Sequence, residues 1–251
     1  MTPIIYNKMY DASINRKKQF AVLIDPDKVS TDALLKTIDL ANEVSVDYIF
    51  VGGSLVVNDT LVATVDVIKS LTQIPIVLFP GSNKQISRDA DALLLLSLIS
   101  GRNAEWLISQ HVEAAMQLRE SQLEIIPTGY MLIDGGRETS VTYVSQTKPI
   151  PSDKTDIAVS TALAGNLLGM KVIFMDAGSG ALKTIPTKMI QAVKSNISLP
   201  LIIGGGINTA EKAIKMCNAG ADIIVVGNAI EKDVNLMKDI SKALHQRVSL
   251  N

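Results

Sequence analysis

The chain is poor in the residues that most often do covalent or redox work: one cysteine, two histidines and one tryptophan among 251 residues. The lone Cys217 excludes an intramolecular disulfide and fits a reducing compartment. Its place in a predicted helix makes it a small buried hydrophobe rather than a nucleophile. His111 and His245 also fall in predicted helices, which argues against a histidine-built zinc site. No run reaches the roughly 18–20 uninterrupted apolar residues of a membrane-spanning helix, and none of signal-peptide length precedes Phe20. A soluble, cytoplasmic protein is expected. The formal net charge of −1 gives no bulk pull toward nucleic acid.

What the chain has is apolar sequence in short pieces. Hydrophobic residues make up 47% of it. They gather in runs at 20–24, 48–51, 76–79, 92–96, 124–130, 172–175, 201–203 and 223–226. Segments of helical period alternate with them, at 59–70, 104–120, 156–168, 186–194 and 232–248. Another is capped by Ser30 or Thr31 and repeats Leu34, Leu35, Ile38 and Ala41 at helical spacing. Residues 1–18 are expected to place a first helix under the sheet. In 104–120 the apolar face reads as Trp106, Ile108, His111, Val112, Ala115 and Leu118. Residues 135–151 form a linker with a β-like SVTYVS stretch and two prolines, long enough to be functional.

Strands alternating with helices imply parallel, right-handed crossovers. Eight strands in 251 residues predict one (β/α)8 barrel, a single TIM-barrel domain over 1–251. A doubly wound open sheet is the alternative fold; no GxGxxG follows the first strand, which counts against its dinucleotide-binding form. Only the polar stretch 83–91 separates the third and fourth runs. The third barrel helix is therefore expected to be reduced to a turn or irregular segment, opening the side of the barrel.

Residues 201–228 carry the strongest local signal. A strand ends in Gly204-Gly205-Gly206, a helix starts near Asn208 or Thr209, and the next strand ends in Gly227-Asn228. Glycine lets backbone N–H groups approach a ligand without a Cβ in the way. A following helix N-terminus adds unpaired N–H groups and partial positive charge, which suits a phosphate. Tight turns alone would also use glycine. Two such places in successive units, after strands 7 and 8 of a barrel, favour the phosphate.

The other strand ends contribute Asp25, Asp27, Lys28, Ser54, Ser82, Ser97, Thr128, Tyr130, Asp176 and Ser179. The set holds carboxylates, hydroxyls and one amine, with no nucleophilic cysteine and no Ser-His-Asp group. Oxygen ligands beside a phosphate site suit Mg2+, and Asp25 and Ser54 stand at the ends of adjacent strands. Asp-Pro-Asp also makes turns and helix caps.

DPDK at 25–28, VGGS at 51–54, FPGS at 79–82, PTGY at 127–130, DAGSGA at 176–181, GGGI at 204–207 and VVGN at 225–228 follow one another in this order. Together they resemble the geranylgeranylglyceryl phosphate synthase family, over nearly the whole chain and closer to its second group. The resemblance implies a modified barrel with an irregular third helix. It implies prenyl transfer from a polyprenyl diphosphate, geranylgeranyl diphosphate first among them, to the 3-hydroxyl of sn-glycerol 1-phosphate, with Mg2+, in ether phospholipid synthesis. Matching positions imply Asp25 and Ser54 at the metal. They imply Phe174, Met175, Asp176, Ala177, Gly178, Ser179, Gly180, Gly204, Gly205, Gly227 and Asn228 around glycerol phosphate. The family often has Glu where this chain has Asp176. Family members form dimers and higher assemblies, so a homo-oligomer is expected, with transient membrane-surface contact for a lipid substrate or product.

In that chemistry Lys28 neutralises the leaving diphosphate, and Asp176 accepts the hydroxyl proton. Tyr130 bonds the glycerol or faces the developing cation, unless it is only the packed end of its strand. Trp106 either borders the prenyl groove or packs in the core. A phosphosugar isomerase or aldolase on the same barrel is the rival enzyme; its Schiff-base form needs a lysine at a strand end, and Lys171 stands at the wrong end. A non-catalytic phosphate-ligand binding protein would leave Asp25, Asp176 and Tyr130 with nothing to do.

Overall fold

Every one of the apolar runs becomes a strand. The computed structural model describes residues 3–54 and 60–245. Its strands are β1 (Gln19–Ile24), β2 (Tyr48–Val51), β3 (Ile76–Leu78), β4 (Ala92–Leu98), β5 (Glu124–Leu132), β6 (Val172–Asp176), β7 (Leu201–Gly204) and β8 (Ile223–Val226). All pair in parallel in chain order, and β8 closes on β1. The helices are α1 (Ile4–Ile14), α2 (Thr31–Glu43), α3 (Leu61–Leu71), α4 (Gln110–Ser121), α5 (Ser140–Ser145), α6 (Thr155–Leu167), α7 (Thr187–Asn196), α8 (Ala210–Ala219), α9 (Asn228–Lys232) and α10 (Leu236–His245). The fold is a (β/α)8 TIM barrel.

Alternation along the strands divides the core in two. Ala21, Tyr48, Phe50, Leu94, Ile126, Phe174, Ile202 and Val225 fill the barrel interior. Val22, Ile49, Val51, Ile173, Met175 and Ile203 face outward onto the helices. α1 plugs the bottom: Ile5 and Met9 join the interior cluster. The Glu124 carboxylate accepts from the N–H groups of Ile4, Ile5 and Tyr6, each at 2.7 Å, capping that helix on the first residue of β5. Nearby, Asp222 bonds Lys194 at 2.6 Å, Ser13 at 2.9 Å and the Leu201 N–H at 2.9 Å, so its buried charge is paired.

Between β3 and β4 there is no helix, as the short 83–91 stretch predicts. Side chains take over the backbone bonding there. Gln85 accepts from the Gly81 N–H at 3.1 Å and donates to the Gly53 carbonyl at 3.2 Å. Gln110, from α4, accepts from the Asn83 N–H at 2.9 Å.

Three expectations are corrected. The SVTYVS stretch is α5, not β-like: Thr142 Oγ1 bonds the Thr139 backbone at 2.9 and 2.7 Å, and Gln146 ends the helix at φ 51°. Local capping and the burial of Ser145 outweigh β-branched propensity. The segment 104–120 opens with a π-helical turn, Glu105–Ser109, before α4. The extra residue per turn rotates the face, so Ile108 and Val112 point to solvent at 56% and 68% exposure. The closing helix starts at Leu236 rather than Lys232, which instead ends the short α9; between them Asp233 Oδ1 accepts from the Asn235 N–H at 3.0 Å and restarts the chain. A helix start at Asp59 and an end at Val248 lie outside the described residues.

Candidate active site

The C-terminal ends of the strands open into a cavity of about 750 Å³. Asp25, Lys28, Ser54, Tyr130, Phe174, Asp176, Gly178, Ser179, Gly180, Gly204, Gly205, Gly227 and Asn228 all line it. Parallel register explains the centre of the site: Tyr130 pairs with Phe174, Leu132 with Asp176 and Asp176 with Gly204. Phe174 and Asp176, two residues apart, point inward together. Met175 and Ala177 have the other parity and pack in the outer layer, so the structure does not bring those two side chains to the cavity.

Asp176 is 9% exposed. Its Oδ2 accepts from the Tyr130 hydroxyl at 2.6 Å, and its Oδ1 from the Gly178 N–H at 2.8 Å. Burial raises the pKa of this carboxyl, and the two hydrogen bonds hold it back. Burial and the neighbouring Asp176 charge push the Tyr130 phenol well above its usual range, which keeps it a neutral donor. Tyr130 is thus both the packed end of its strand and a partner of the carboxylate.

Around this pair lies an aromatic cluster. Phe79 stacks on Phe174 with centroids 5.1 Å apart, and Tyr130 meets Phe174 edge-on at 5.4 Å and Phe79 edge-on at 5.8 Å. Phe79 and Tyr130 also line a second, apolar groove running between β4, α4 and the irregular β3–β4 segment. Leu93, Leu95, Leu96, Trp106, Ala114 and Leu118 form its walls, with Val141 and Val144 of α5. Trp106 borders this groove while also packing on the interior cluster. His111 enters the groove too; Ser97 Oγ lies 3.2 Å from its Nε2, and burial lowers its pKa.

The glycine cradle is tight. Gly205 has φ +84°, and a Cβ there would sit 2.7 Å from the Ala177 nitrogen and 2.8 Å from both Asp176 Oδ1 and the Gly178 nitrogen. Ser179 donates to Asn228 Oδ1 at 2.7 Å, joining the β6 loop to the start of α9. Gly205→Ala is expected to fold with a lowered melting temperature and to weaken phosphate-ester binding, because the methyl group displaces the β6 loop and the carboxylate. Calorimetric titration with sn-glycerol 1-phosphate checks this; an unchanged dissociation constant would remove the strand 7 glycines from the site.

At the β1 end, Lys28 bonds Asp25 Oδ2 at 2.5 Å. Partial burial works against the Lys28 ammonium, but Asp25, with Glu231 and Asp27, outweighs it and leaves its pKa raised. Burial raises the Glu231 pKa, with Lys28 opposing. Glu231 lines the same cavity from α9. Sequence reasoning missed it; its place three residues after Asn228, one helical turn on, was the available signal. Phe79, Val141 and Val144 were missed for a different reason, since each looks like ordinary core.

Among the described residues no group of three or more His, Cys, Asp or Glu side chains could hold a metal. Mg2+ asks for less, since one or two carboxylates with substrate phosphates and waters suffice. Asp25 fits: its carboxylate reaches the cavity, and Gly53 leaves the space beside it, where a Cβ would lie 3.1 Å from Oδ2.

A family model described as the PcrB family matches residues 12–244. The chain belongs to the PcrB family. The geranylgeranylglyceryl phosphate synthase of Chitinophaga pinensis is 57% identical over 245 residues, 96% of this chain and 97% of that protein. The one from Thermococcus kodakarensis is 43% identical over 220 residues, 87% of this chain and 86% of that protein. Among solved structures, (S)-3-O-geranylgeranylglyceryl phosphate synthase from Thermoplasma acidophilum, in complex with its substrate sn-glycerol-1-phosphate, superposes with a TM-score of 0.91 at 31% identity. It covers 98% of this chain and is itself covered in full, 100%. Among the described residues no helix is long and apolar enough to cross a membrane.

Proposed function

We propose that the protein transfers a prenyl group, geranylgeranyl in the first instance, from its diphosphate to the 3-hydroxyl of sn-glycerol 1-phosphate. The observation that carries this is the meeting of two unlike cavities. An apolar groove and a polar, glycine-rooted cavity share Phe79 and Tyr130, and Asp176 lies hydrogen-bonded at that junction.

The prenyl tail occupies the groove opened by the missing third helix, with C1 at the aromatic cluster. The ester phosphate sits on the glycines after β6, β7 and β8, and its far hydroxyl faces Asp176. The bond from C1 to diphosphate breaks, the bond from C1 to the glycerol oxygen forms, and the hydroxyl proton goes to the Asp176 carboxylate. Positive charge developing at C1 meets the faces of Phe79, Tyr130 and Phe174. Lys28 offers its ammonium to the departing diphosphate. Asp25, with Ser54 beside it, is the pair that would hold Mg2+, which neutralises diphosphate charge when bound. A Schiff-base aldolase is poorly served: Lys171 is at the bottom of the barrel, 5.7 Å from the Tyr6 ring, and Lys28, at the β1 end, is ion-paired with Asp25.

Incubation with labelled sn-glycerol 1-phosphate and prenyl diphosphates of several lengths tests the proposal. A Mg2+-dependent prenylglyceryl phosphate ether with matching diphosphate release is expected. No ether product at any chain length would overturn it.

The pH profile follows from Asp176. A base must be ionised, and this carboxyl titrates above the ordinary carboxylate value. On lowering the pH, kcat should fall at a higher pH than an exposed aspartate would dictate. Tyr130 adds no alkaline limb in the working range, since its phenol titrates well above 10. An acid limb at the usual carboxylate pKa would argue against Asp176 as the base.

A further inference from the structure

A phosphate dianion held by backbone N–H groups alone leaves its charge poorly matched, and the side-chain cations around the cradle are mostly engaged. Lys28 bonds Asp25. Lys212 bonds Asn208 Oδ1 at 2.7 Å and the Gly206 carbonyl at 3.5 Å. Lys232 lies close enough to Glu231 to favour that carboxylate's charged form. Lys183 lays its aliphatic stem along Gly136, where a Cβ would sit 3.6 Å from its Cδ.

Arg137 differs from all of these. Its guanidinium Nη2 lies 2.5 Å from where a Gly180 Cβ would be, and Asn228 Nδ2 lies 3.9 Å from the same point. The guanidinium therefore covers Gly180 beside the first residue of α9. Among the described residues it forms no ion pair. The backbone that carries it is anchored. The Gly135 carbonyl accepts from the N–H groups of Leu182 and Lys183, both at 3.0 Å. A Cβ on Gly135 would meet the Ala177 carbonyl oxygen at 2.6 Å, so the loop after β5 lies flush on the loop after β6. Arg137 itself lines the adjoining surface pocket with Glu138, and the next residues, Glu138, Thr139 and Ser140, line the polar cavity, with Thr139 packed against Gly178.

We propose that Arg137 is a substrate-binding residue, whose guanidinium supplies the side-chain charge for the phosphate of the acceptor. This rests on the proposed function above. It accounts for the long β5–α6 connection, in which α5 walls the prenyl groove while the preceding loop carries the acceptor's counter-charge. A planar fork over the Gly180 turn can offer two parallel N–H groups to phosphate oxygens.

The test is calorimetric titration of the full chain with sn-glycerol 1-phosphate, and with inorganic phosphate as its competitor. Arg137 is exposed, so Arg137→Gln should fold with an unchanged melting temperature. The dissociation constants of both ligands should rise by the same factor, about tenfold for loss of one charge-assisted contact partly screened by water. In turnover KM for the acceptor should rise with kcat held, and Arg137→Lys should fall between. If wild type binds the acceptor and Arg137→Gln binds it within twofold, the inference is wrong and the function stands. Weakening for glycerol phosphate but not for inorganic phosphate would also overturn it, since charge would not be what was lost. Failure of wild type to bind the acceptor at all would instead overturn the proposed function.

Discussion

Asp176→Asn is expected to lower kcat by about 10²–10⁴, the usual cost of losing a general base, while affinity for sn-glycerol 1-phosphate is largely kept. The amide has nearly the same shape. Its oxygen still accepts from the Gly178 N–H, and the Tyr130 hydroxyl, now 2.6 Å from the carboxylate, rotates to accept from the amide nitrogen. What disappears is basicity. A carboxylate in this position could also only orient the acceptor hydroxyl, and single-turnover kinetics separate the two roles. Unchanged kcat with raised KM would assign Asp176 to binding and leave the base unidentified. Asp176→Glu restores the base one methylene further out. Little room exists for it, because the carboxylate is buried and already held between the Tyr130 hydroxyl and the Gly178 N–H. It should recover activity over the amide but stay below wild type.

The barrel was legible because its strands are short apolar runs with polar or glycine-rich ends, a pattern that needs no long-range information. The reduced third helix was legible from chain length alone. Less readable were elements whose form depends on neighbours. Val141 and Val144 look like strand residues until the groove wall between β4 and α4 gives them somewhere to pack. The π-helical turn at Glu105–Ser109 leaves no periodicity signal, yet it turns Ile108 and Val112 out to solvent. At the site, contiguous motifs were read as contiguous contacts. Strand alternation instead sends Phe174 and Asp176 inward and Met175 outward. Glu231 and Arg137 could not be placed by motif, because Glu231 reaches the cavity from a short helix and Arg137 reaches Gly180 from a loop, in directions that only the folded chain defines.

Asp25→Asn should reduce turnover to near background at saturating Mg2+, with little change in stability. Lys28, its ion-pair partner, is 57% exposed, and such pairs contribute little to folding. Two roles for Asp25 predict this loss: holding Mg2+ against the diphosphate, or only steering the Lys28 ammonium that sits 2.5 Å away. They part in a double-mutant cycle with Lys28→Met. If Asp25 acts only through Lys28, adding Asp25→Asn to Lys28→Met costs nothing further. If Asp25 holds the metal, the double variant loses activity again, and Mn2+ binding in the presence of diphosphate, followed by electron paramagnetic resonance, is lost in Asp25→Asn and retained in Lys28→Met. Loss of the metal signal does not depend on turnover, so it tests the ligand directly. One carboxylate with Ser54 is a sparse protein contribution, and Mg2+ tolerates that because substrate oxygens and waters fill the remaining positions. The metal should therefore bind weakly to the free protein and tightly only with diphosphate present. Near-normal activity of Asp25→Asn would refute the assignment, and tight Mn2+ binding without diphosphate would show a fuller protein cage than Asp25 and Ser54 provide.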